Sequence, residues 1–381
     1  MNELDKLREK IDSIDKQLLE LFLTRMNICS GVADYKRKVG MPVLDSAREK
    51  QVLSNKLKLL KEPGCETEVY EFFNAIMAIS RARQTRELKE TKGKKLLEDI
   101  IESTSAPIES PKVCYYGVHG TYSEEATIKY FGDDTERFCA GTFEDVFLSL
   151  KNNNADYAVL PIENSSTGNI SEVMQLLSQY GYYITGEVYI PIHHCLMGTK
   201  GASLSGIKTV YSHEQGLLQS EEFLKQLPGI SREVCGSTAM SAKTVAESGD
   251  SSKAAIAGKQ NAEIYGLDIL AENINTNDVN TTRFAVIAKQ PEITGDCNKI
   301  SAAFVLPHES GSLHHLLAAF AAGGLNLLKL ESRPIPQRRF EYMFFADYEG
   351  NLLDEHVKEI TSSVIDGSVE FKFIGNYRSK V

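Results

Sequence analysis

The sequence lacks the features that mark secreted, membrane-spanning and nucleic-acid-binding proteins. Its seven cysteines are scattered without a C-x-x-C spacing, which favours reduced thiols in the cytoplasm over a disulfide framework. The formal net charge is −10, so the overall field repels nucleic acid and acidic membranes. The most apolar stretch, residues 316–328, contains two glycines and an asparagine and is too short to span a bilayer. The first residues show no basic segment followed by an apolar run, so we expect no signal peptide.

The length and composition are those of an ordinary globular protein. The 381 residues suffice for two or three domains, each with its own core, and 42% of them are hydrophobic. No internal repeat or long low-complexity segment is present. Because the net charge is negative, any anionic ligand must be held by local arginines and lysines.

The first 40 residues carry a heptad seam with one charged position, Arg25. The seam contains no proline and a single glycine, which predicts one helix of about 35 residues and roughly 50 Å. By itself Arg25 is a residue that fixes the helix register or extends out of the seam. The apolar seam positions are Leu4, Leu7, Ile11, Ile14, Leu18, Leu21, Ile28, Val32 and Tyr35.

Two shorter helices are predicted after this long one. A capping box at residues 46–49, or Asp45 as the alternative cap, begins the second helix, and the apolar residues of 69–79 indicate the third. A helix as long as the first cannot bury its seam against two shorter ones. We therefore expect a second copy of the chain to complete this core.

Residues 1–90 resemble the all-helical chorismate mutase family. The resemblance identifies an arginine that reaches the partner's pocket, an Arg and a Lys further along the first helix, a D-x-x-R-E segment, and a Ser and a Gln on the third helix. The corresponding residues are Arg8, Arg25, Lys36, Asp45, Arg48, Glu49, Ser80 and Gln84. The family converts chorismate to prephenate by a one-molecule rearrangement, which needs a held conformer and charge stabilisation rather than a nucleophile or metal.

The resemblance also implies a role for each mutase residue. Arg8 and Arg25 would bind the two carboxylates of the substrate. Lys36 and Gln84 would donate to its ether oxygen, and Glu49 would hold the ring hydroxyl. A charged residue in an apolar seam is then part of an anion pocket.

A solvated linker is expected over residues 91–110, followed by an α/β domain over 111–290. Short apolar runs alternate there with stretches of helical period, and one lobe is expected to be inserted between about 190 and 270. Five polar clusters follow strands or begin helices in this domain. Hydroxyls at helix starts bind carboxylates well, so the clusters together predict one anion-binding cleft, although each alone is more often a helix cap.

These clusters resemble the prephenate dehydratase family, with G-x-x-G-T-Y-S, P-I-E-N-S, S-H-x-Q, S-T-A and N-x-T-R-F segments. The substrate-binding residues that the resemblance implies are Thr121, Ser123, Glu163, Asn164, Ser165, His213, Gln215, Ser237, Thr238, Asn280, Thr282, Arg283 and Phe284.

Prephenate loses water and CO₂ together. This reaction requires a proton donor for the departing hydroxyl and a group that binds the side-chain carboxylate. By family resemblance Thr282 is the acid, Arg283 anchors the substrate and Phe284 forms a wall. His213 is a candidate acid by residue type, but we rank it below Thr282 because a histidine in such a loop more often orients by hydrogen bonding.

The remaining residues, 298–381, show a β-α-β-β-α-β order that predicts a ferredoxin-like fold. They resemble an ACT regulatory domain, which implies an amino-acid site near the start of its first helix. The matching residues are Gly311, Ser312, Leu313, Glu331, Ser332, Arg333 and Pro334.

The sequence therefore predicts a multidomain chain: helical mutase, two-lobed α/β dehydratase and α+β ACT domain. We expect a bifunctional enzyme of phenylalanine synthesis in the cytoplasm, using chorismate and prephenate, with phenylalanine as effector. We expect no cofactor, no metal, no nucleic acid and no membrane partner, and a homodimer, with a homotetramer left open. The alternative is a non-catalytic amino-acid sensor, which the intact set of mutase residues disfavours.

Overall fold

The computed structural model describes residues 2–41, 45–60, 64–87, 91–277, 279–309, 311–335 and 338–379. The chain divides into two compact units. The first comprises Met1–Glu102 and Ala303–Phe371, and the second comprises Ser103–Ala302 and Lys372–Val381. The segment 298–381, which we expected to form one domain, therefore contributes residues to both units.

Three helices begin the first unit: α1 (Glu3–Val39), α2 (Ser46–Leu59) and α3 (Glu66–Glu87). The single long helix predicted from the seam is confirmed, with 37 residues and a capping box between Asn2 and Asp5. The cap of α2 is Asp45, whose side chain accepts from the Arg48 N–H at 3.0 Å. The alternative cap is thus the correct one, and the Ser46 side chain lies outside the described residues.

The heptad seam of α1 is not covered by α2 or α3. All nine apolar seam residues are exposed in the single chain, between 42% and 68% of their surface. The residues that α1 buries are Met26 and Ala33, and the Met26 sulfur receives a 3.9 Å contact from the Ser80 hydroxyl of α3. The helix therefore presents a separate face to α3 and leaves its long apolar stripe open.

The expected connector at 91–110 contains a further helix, α4 (Lys92–Glu102). Its apolar residues fall on one side, and Leu97 and Ile100 are buried. The sequence interpretation of a solvated linker is therefore too simple for the first half of this segment, because that half has a core face. The Lys and Glu residues that suggested solvation occupy the other face.

The second unit holds two lobes, as predicted. The first lobe begins with β1 (Val113–Tyr116), α5 (Tyr122–Phe131), β2 (Arg137–Ala140), α6 (Phe143–Lys151), β3 (Tyr157–Asn164), β4 (Gly168–Asn169), α7 (Ser171–Tyr180) and β5 (Tyr183–Pro191). The inserted lobe then comprises β6 (His194–Gly198), β7 (Thr209–Ser212), α8 (Glu214–Gln219), α9 (Glu221–Leu224), β8 (Ser231–Val234), α10 (Thr238–Ser248), β9 (Lys253–Gly258), α11 (Gln260–Tyr265) and β10 (Asp268–Ala271). The chain returns to the first lobe through β11 (Thr281–Ala288).

Strand β11 lies in the interior of the first-lobe sheet, between β3 and β5. The order is β2-β1-β3-β11-β5, with β1, β2 and β3 parallel and β11 antiparallel to both of its neighbours. The inserted lobe has the order β10-β6-β9-β7-β8. Nearly every residue of β11 is buried, as expected for a central strand covered on both faces.

The C-terminal elements follow the predicted order: β12 (Lys299–Val305), α12 (Ser312–Ala322), β13 (Leu327–Pro334), β14 (Tyr342–Glu349), α13 (Glu355–Asp366) and β15 (Glu370–Tyr377). They form a sheet of order β13-β14-β12-β15, the arrangement of a ferredoxin-like fold. Strand β13 lies at its edge, and its pairing with β14 is antiparallel.

Helix α4 packs against α13. The Gly93 N–H donates to the Asp366 carboxylate at 2.8 Å, and a Cβ added at Gly93 would lie 2.4 Å from the Ser362 carbonyl oxygen. Glycine is therefore required for this close approach. Among the helices in the described ranges, none is both long and apolar enough to cross a membrane.

Candidate active sites

Arg25 of α1 is directed towards α3. Its Nη1 donates to the Ser80 hydroxyl and lies 3.8 Å from the Cys29 sulfur. Ser80 is buried and also donates to the Ile76 carbonyl at 2.7 Å. The structure thus brings together Arg25 and Ser80, two of the residues implied by the mutase resemblance.

Gln84 lies one helical turn beyond Ser80 on α3 and is only 7% exposed. Its Oε1 has no hydrogen-bond partner within the described residues. Buried polar side chains are nearly always paired in folded proteins, because an unpaired one costs about 1–3 kcal/mol. This amide is therefore suited to binding a ligand beside Ser80.

Glu49 of α2 is held by a residue that the sequence analysis did not identify. The Nη1 of Arg81 lies 2.5 Å from both carboxylate oxygens of Glu49. Arg81 directly follows Ser80, so this ion pair adjoins the Arg25 contact along α3. The resemblance supplied no signal for Arg81, but its position next to Ser80 could have suggested it.

The other mutase candidates are less enclosed. Lys36 and Asp45 are partly buried, and Asp45 caps α2. Arg48 is exposed, and its Nη1 lies 2.8 Å from the Gln51 amide oxygen. Arg8 is 67% exposed and lies 3.9 Å from Asp5. It precedes Arg25 by 17 residues, or about 26 Å along a helix, so it cannot reach the Arg25 pocket of its own chain.

Thr282, at the start of β11, forms a buried polar cluster with Asn164 at the end of β3. The Asn164 Nδ2 donates to the Thr282 hydroxyl oxygen and to the Asn280 Oδ1, both at 2.8 Å. The structure therefore joins the P-I-E-N-S and N-x-T-R-F segments. Ser165 reinforces the junction, because its hydroxyl accepts from the Thr281 N–H at 2.9 Å.

The hydrogen bonds of Asn164 determine how Thr282 can act. The Ser166 and Thr167 N–H groups donate to the Asn164 Oδ1 at 2.9 and 3.2 Å. These bonds fix the orientation of the amide, so its NH₂ group faces Thr282. The Thr282 oxygen thus accepts from Asn164, and its own proton must point elsewhere. A serine or threonine in this state is a hydrogen-bond donor towards a ligand.

Asn280 is the second unusual member of this cluster. Its Oδ1 accepts from Asn164 and, at 3.3 Å, from the Ser166 hydroxyl. Its Nδ2 is buried and has no partner in the described part of the chain. Asn280 directly precedes β11, and both it and Thr282 have donors for which the described part of the chain shows no protein partner. Both side chains contact the Asn164 amide, so they belong to one polar cluster.

Arg283 lies on the opposite face of β11 from Thr282, because successive strand residues alternate. Its side chain is 8% exposed and contacts Glu187 at 2.6 Å, the Tyr377 hydroxyl at 2.7 Å and Glu163 at 3.4 Å. We expected Arg283 and Glu163 to contact substrate beside Thr282. The structure instead places both on the other side of the sheet, where Arg283 is held by acidic and phenolic groups.

A buried charge network continues from Arg283. Glu187 is fully buried and also binds the Lys299 ammonium at 2.9 Å. Tyr377 is hydrogen-bonded to Ser301 at 2.7 Å. The sequence analysis missed this network, because nothing in the spacing of residues 187, 299 and 377 indicates their proximity. Phe284, expected as a wall of the cleft, is buried in the apolar core of the first lobe.

Two polar clusters meet in the inserted lobe. His213 caps α8, with its Nδ1 accepting from the Gln215 N–H at 3.2 Å, and Ser237 caps α10, with its hydroxyl accepting from Met240 at 3.1 Å. A Cβ added at Gly216 would lie 3.3 Å from the Thr238 methyl group, so the two helix starts adjoin. His213 thus holds the first turn of α8, and its ranking below Thr282 as the acid stays a prediction.

The G-x-x-G-T-Y-S segment lies where α5 begins. Thr121 and Ser123 are buried, and the Thr121 hydroxyl donates to the Val118 carbonyl at 2.9 Å. Burial alone would raise the pKa of Glu124, but the Gly120 N–H and the Arg137 guanidinium outweigh it and the pKa is lowered. Gly120 also accepts from Asn261 of the inserted lobe at 3.0 Å. This loop therefore connects the two lobes.

In the C-terminal sheet, a cavity of about 400 Å³ lies at the start of α12. Ser312 and Leu313 line it, together with residues of β12 and β14 that include Val305 and Phe344. Gly311 begins the helix with φ +87°, a conformation that favours glycine. Glu331, Ser332, Arg333 and Pro334 lie on the edge strand β13, with β14 between them and β12.

Comparisons with known proteins agree with this arrangement. The family chorismate mutase type II matches residues 7–85, and prephenate dehydratase matches residues 113–292. A bifunctional chorismate mutase/prephenate dehydratase of Neisseria gonorrhoeae is 32% identical over 376 residues, covering 98% of this chain and 96% of its own. This chain belongs to the bifunctional chorismate mutase/prephenate dehydratase family. It is an enzyme with a chorismate mutase domain and a prephenate dehydratase domain.

Two solved structures share the fold of the dehydratase part. The prephenate dehydratase of Arthrobacter aurescens in complex with L-Phe is 28% identical with a TM-score of 0.65, covering 70% of this chain and 90% of its own. GqqA, described as a novel type of quorum quenching acylase, is 26% identical with the same TM-score, covering 71% and 98%. The alternative of a non-catalytic amino-acid sensor is set aside, because relatives of full length are bifunctional enzymes.

Proposed function

We propose that chorismate rearranges in a pocket between α1, α2 and α3. Arg25 binds a substrate carboxylate, Lys36 and Gln84 donate to the ether oxygen, and Glu49 accepts from the ring hydroxyl. The burial of Ser80 and Gln84 and the contact between Arg25 and Ser80 support this assignment. The rate enhancement then comes from a held conformer and from cations near the developing negative charge. Asp45 and Arg48 support the pocket at the start of α2.

The mutase pocket is completed by a second copy of the chain. Two observations support a homodimer: the whole apolar seam of α1 is exposed, and Arg8 lies about 26 Å along the helix from Arg25. An apolar stripe of this length is covered when two such helices pack together. Arg8 of one copy then serves the pocket of the other copy.

Prephenate is dehydrated in a cleft lined by the Thr282 cluster. Thr282 donates a proton to the departing hydroxyl, which leaves as water when the C–O bond breaks, and a proton from solvent restores the Thr282 hydroxyl. The electrons of the bond to the lost carboxylate enter the ring, which becomes aromatic. The accepted hydrogen bond from Asn164 supports this role, because it leaves the Thr282 proton free to face substrate. The unused Nδ2 of Asn280 is a second donor to the substrate.

The side-chain carboxylate of prephenate binds at helix starts in this proposal. Ser237, Thr238 and Gln215 lie at the starts of α10 and α8, where backbone N–H groups favour anions. Thr121, Ser123 and Ser165 complete the polar surroundings. Arg283 and Glu163 stabilise strand β11 from the face opposite Thr282 and do not contact substrate.

The C-terminal sheet is an ACT-type regulatory domain that binds phenylalanine. The cavity at α12 supports this proposal, because about 400 Å³ lies within the range of small-molecule sites. N–H groups in the first turn of α12 would bind the carboxylate of phenylalanine. Leu313 and Phe344 would contact its ring. Glu331, Ser332, Arg333 and Pro334 of a second copy would face it. All seven cysteines are unpaired, which fits a cytoplasmic enzyme.

The effector site is tested by inhibition and by calorimetry on the full-length chain. Phenylalanine should bind wild type and reduce turnover of supplied prephenate. Leu313→Asp should abolish both effects and leave uninhibited turnover unchanged, because a carboxylate in the cavity repels the ligand carboxylate. The matched control, Leu353→Asp at another exposed leucine, should behave as wild type. Undiminished inhibition of Leu313→Asp would place phenylalanine elsewhere.

A further inference from the structure

The ion pair between Arg81 and Glu49 connects two helices of the mutase pocket. The Nη1 of Arg81 contacts both carboxylate oxygens at 2.5 Å, and the two side chains are only 16% and 19% exposed. Exposed ion pairs are weak because water screens them, but a pair this enclosed can hold its partners in one geometry. The pair therefore constrains the Glu49 carboxylate.

The position of Arg81 on α3 places it among the proposed substrate contacts. It follows Ser80, which receives the Arg25 guanidinium, and precedes Gln84 by three residues, so all of them lie along neighbouring faces of one helix. Glu49 comes from α2. Without a bond across to α3, the carboxylate of a flexible side chain would sample several rotamers.

A third element borders the pair. His315 of α12 hydrogen-bonds the Asn74 side chain of α3 at 3.3 Å. Burial lowers the pKa of His315, and the nearby Arg81 cation lowers it further while Glu49 acts in the opposite sense. The start of α12 therefore approaches α3 in the neighbourhood of this ion pair.

We propose that Arg81 is a positioning residue of the mutase reaction, which orients Glu49 to accept from the ring hydroxyl of chorismate. This inference rests on the proposed role of Glu49. A carboxylate has about four lone-pair positions, so one bond from Arg81 to each oxygen leaves acceptor capacity for the substrate. Arg81 itself need not contact chorismate.

The test is steady-state mutase kinetics of Arg81→Gln, Arg81→Lys, Glu49→Gln and the Arg81→Gln/Glu49→Gln double variant. Arg81→Gln should lower kcat/KM about tenfold to a hundredfold, the usual cost of a misplaced group. Arg81→Lys should recover much of the loss, because a cation can still pair with Glu49. The double variant should be no slower than Glu49→Gln alone, since Arg81 acts only through Glu49.

Two controls separate positioning from folding. Dehydratase turnover of supplied prephenate should be unchanged in every variant. Arg83→Gln, two residues along α3 where the side chain contacts Asn27 at 3.5 Å, should retain mutase activity. Together they show whether a loss is specific to the Glu49 contact.

Three results would overturn the inference. An Arg81→Gln enzyme with unchanged kcat/KM would show that the pair is dispensable. Losses that multiply fully in the double variant would show that Arg81 acts independently, for example on a substrate carboxylate. If Glu49→Gln alone were fully active, the proposed role of Glu49 would fail, and the inference about Arg81 with it. The first result together with a slow Glu49→Gln enzyme would overturn only the inference about Arg81 and leave the proposed role of Glu49 intact.

Discussion

Asn164 donates its Nδ2 to the Thr282 hydroxyl oxygen at 2.8 Å across two antiparallel strands. The Asn164 carbonyl oxygen is fixed by the N–H groups of Ser166 and Thr167, so the amide cannot turn over without losing those bonds. Because the Thr282 oxygen accepts this hydrogen bond, the Thr282 proton points away from Asn164, as the proposed donor role requires.

Reversing that direction should disable the dehydratase. Asn164→Asp keeps the acceptor for Ser166 and Thr167, but the Asp carboxylate would accept the Thr282 proton and turn it away from substrate. We expect phenylpyruvate formation from supplied prephenate to fall at least about a hundredfold. Asn154→Asp, an exposed position in the same lobe, is the control. Normal turnover of Asn164→Asp would show that Thr282 does not act as the donor.

Loss of the Arg25 charge should affect the mutase alone. Arg25→Ala removes a cation from the pocket and should slow chorismate rearrangement at least about a hundredfold. Turnover of supplied prephenate should stay near wild type, as the dehydratase residues lie in the other unit. Arg37→Ala, an exposed arginine of the same helix that pairs with Asp34, should be active in both assays. Equal loss of both activities in Arg25→Ala would indicate general unfolding.

The proposed sharing of the mutase pocket between two copies predicts complementation. Arg8→Ala and Arg25→Ala should each be inactive as pure proteins. Mixed dimers contain one intact pocket, so co-expressed, randomly paired subunits should regain about a quarter of wild-type mutase activity. The measurement is mutase rate against the ratio of the two chains. Failure of any mixture to exceed its components would contradict a pocket shared between copies.

Removal of Glu187 should destabilise the dehydratase part strongly. Glu187→Ala removes the buried carboxylate that Arg283 and Lys299 share and leaves Arg283 with the more distant Glu163, at a cost of about 3–5 kcal/mol. Tyr377→Phe removes only the hydroxyl and should cost about 1–3 kcal/mol. Urea unfolding followed by a probe in the dehydratase part measures both. Equal stability of Glu187→Ala and wild type would show that the network contributes little.

The same network limits which variants can test the proposed effector site of the C-terminal sheet. Lys299 and Tyr377 belong to the unit that contains the dehydratase residues. Ending the chain near residue 290 would therefore remove partners of Glu187 and Arg283. Point substitutions at the α12 cavity are the cleaner experiment.

Much of the fold follows from local patterns in the sequence. The heptad seam predicted α1. Short apolar runs that alternate with stretches of helical period predicted the two lobes and the inserted segment. The order of the C-terminal elements was also predicted. These successes share a cause, because periodicity reports which face of each element is buried.

The sequence does not show how side chains are arranged in three dimensions. Thr282 and Arg283 are adjacent in one motif, yet strand alternation directs them to opposite faces, and the motif alone does not say which face holds substrate. Arg81 and Glu49 are 32 residues apart on different helices, so only packing brings them together. Helix α4 was taken for a linker because its charged face dominates its composition.

The central claim is that one chain performs two reactions at separate sites. The most direct test gives chorismate to wild type, Arg25→Ala, Thr282→Ala and a mixture of the two variants, while prephenate and phenylpyruvate are followed separately. Thr282→Ala should accumulate prephenate at the wild-type rate, and Arg25→Ala should leave chorismate largely unconverted. The mixture should form phenylpyruvate, because prephenate released by one variant is substrate for the other. A mixture that formed none, or a Thr282→Ala enzyme that still produced phenylpyruvate at the normal rate, would contradict the account.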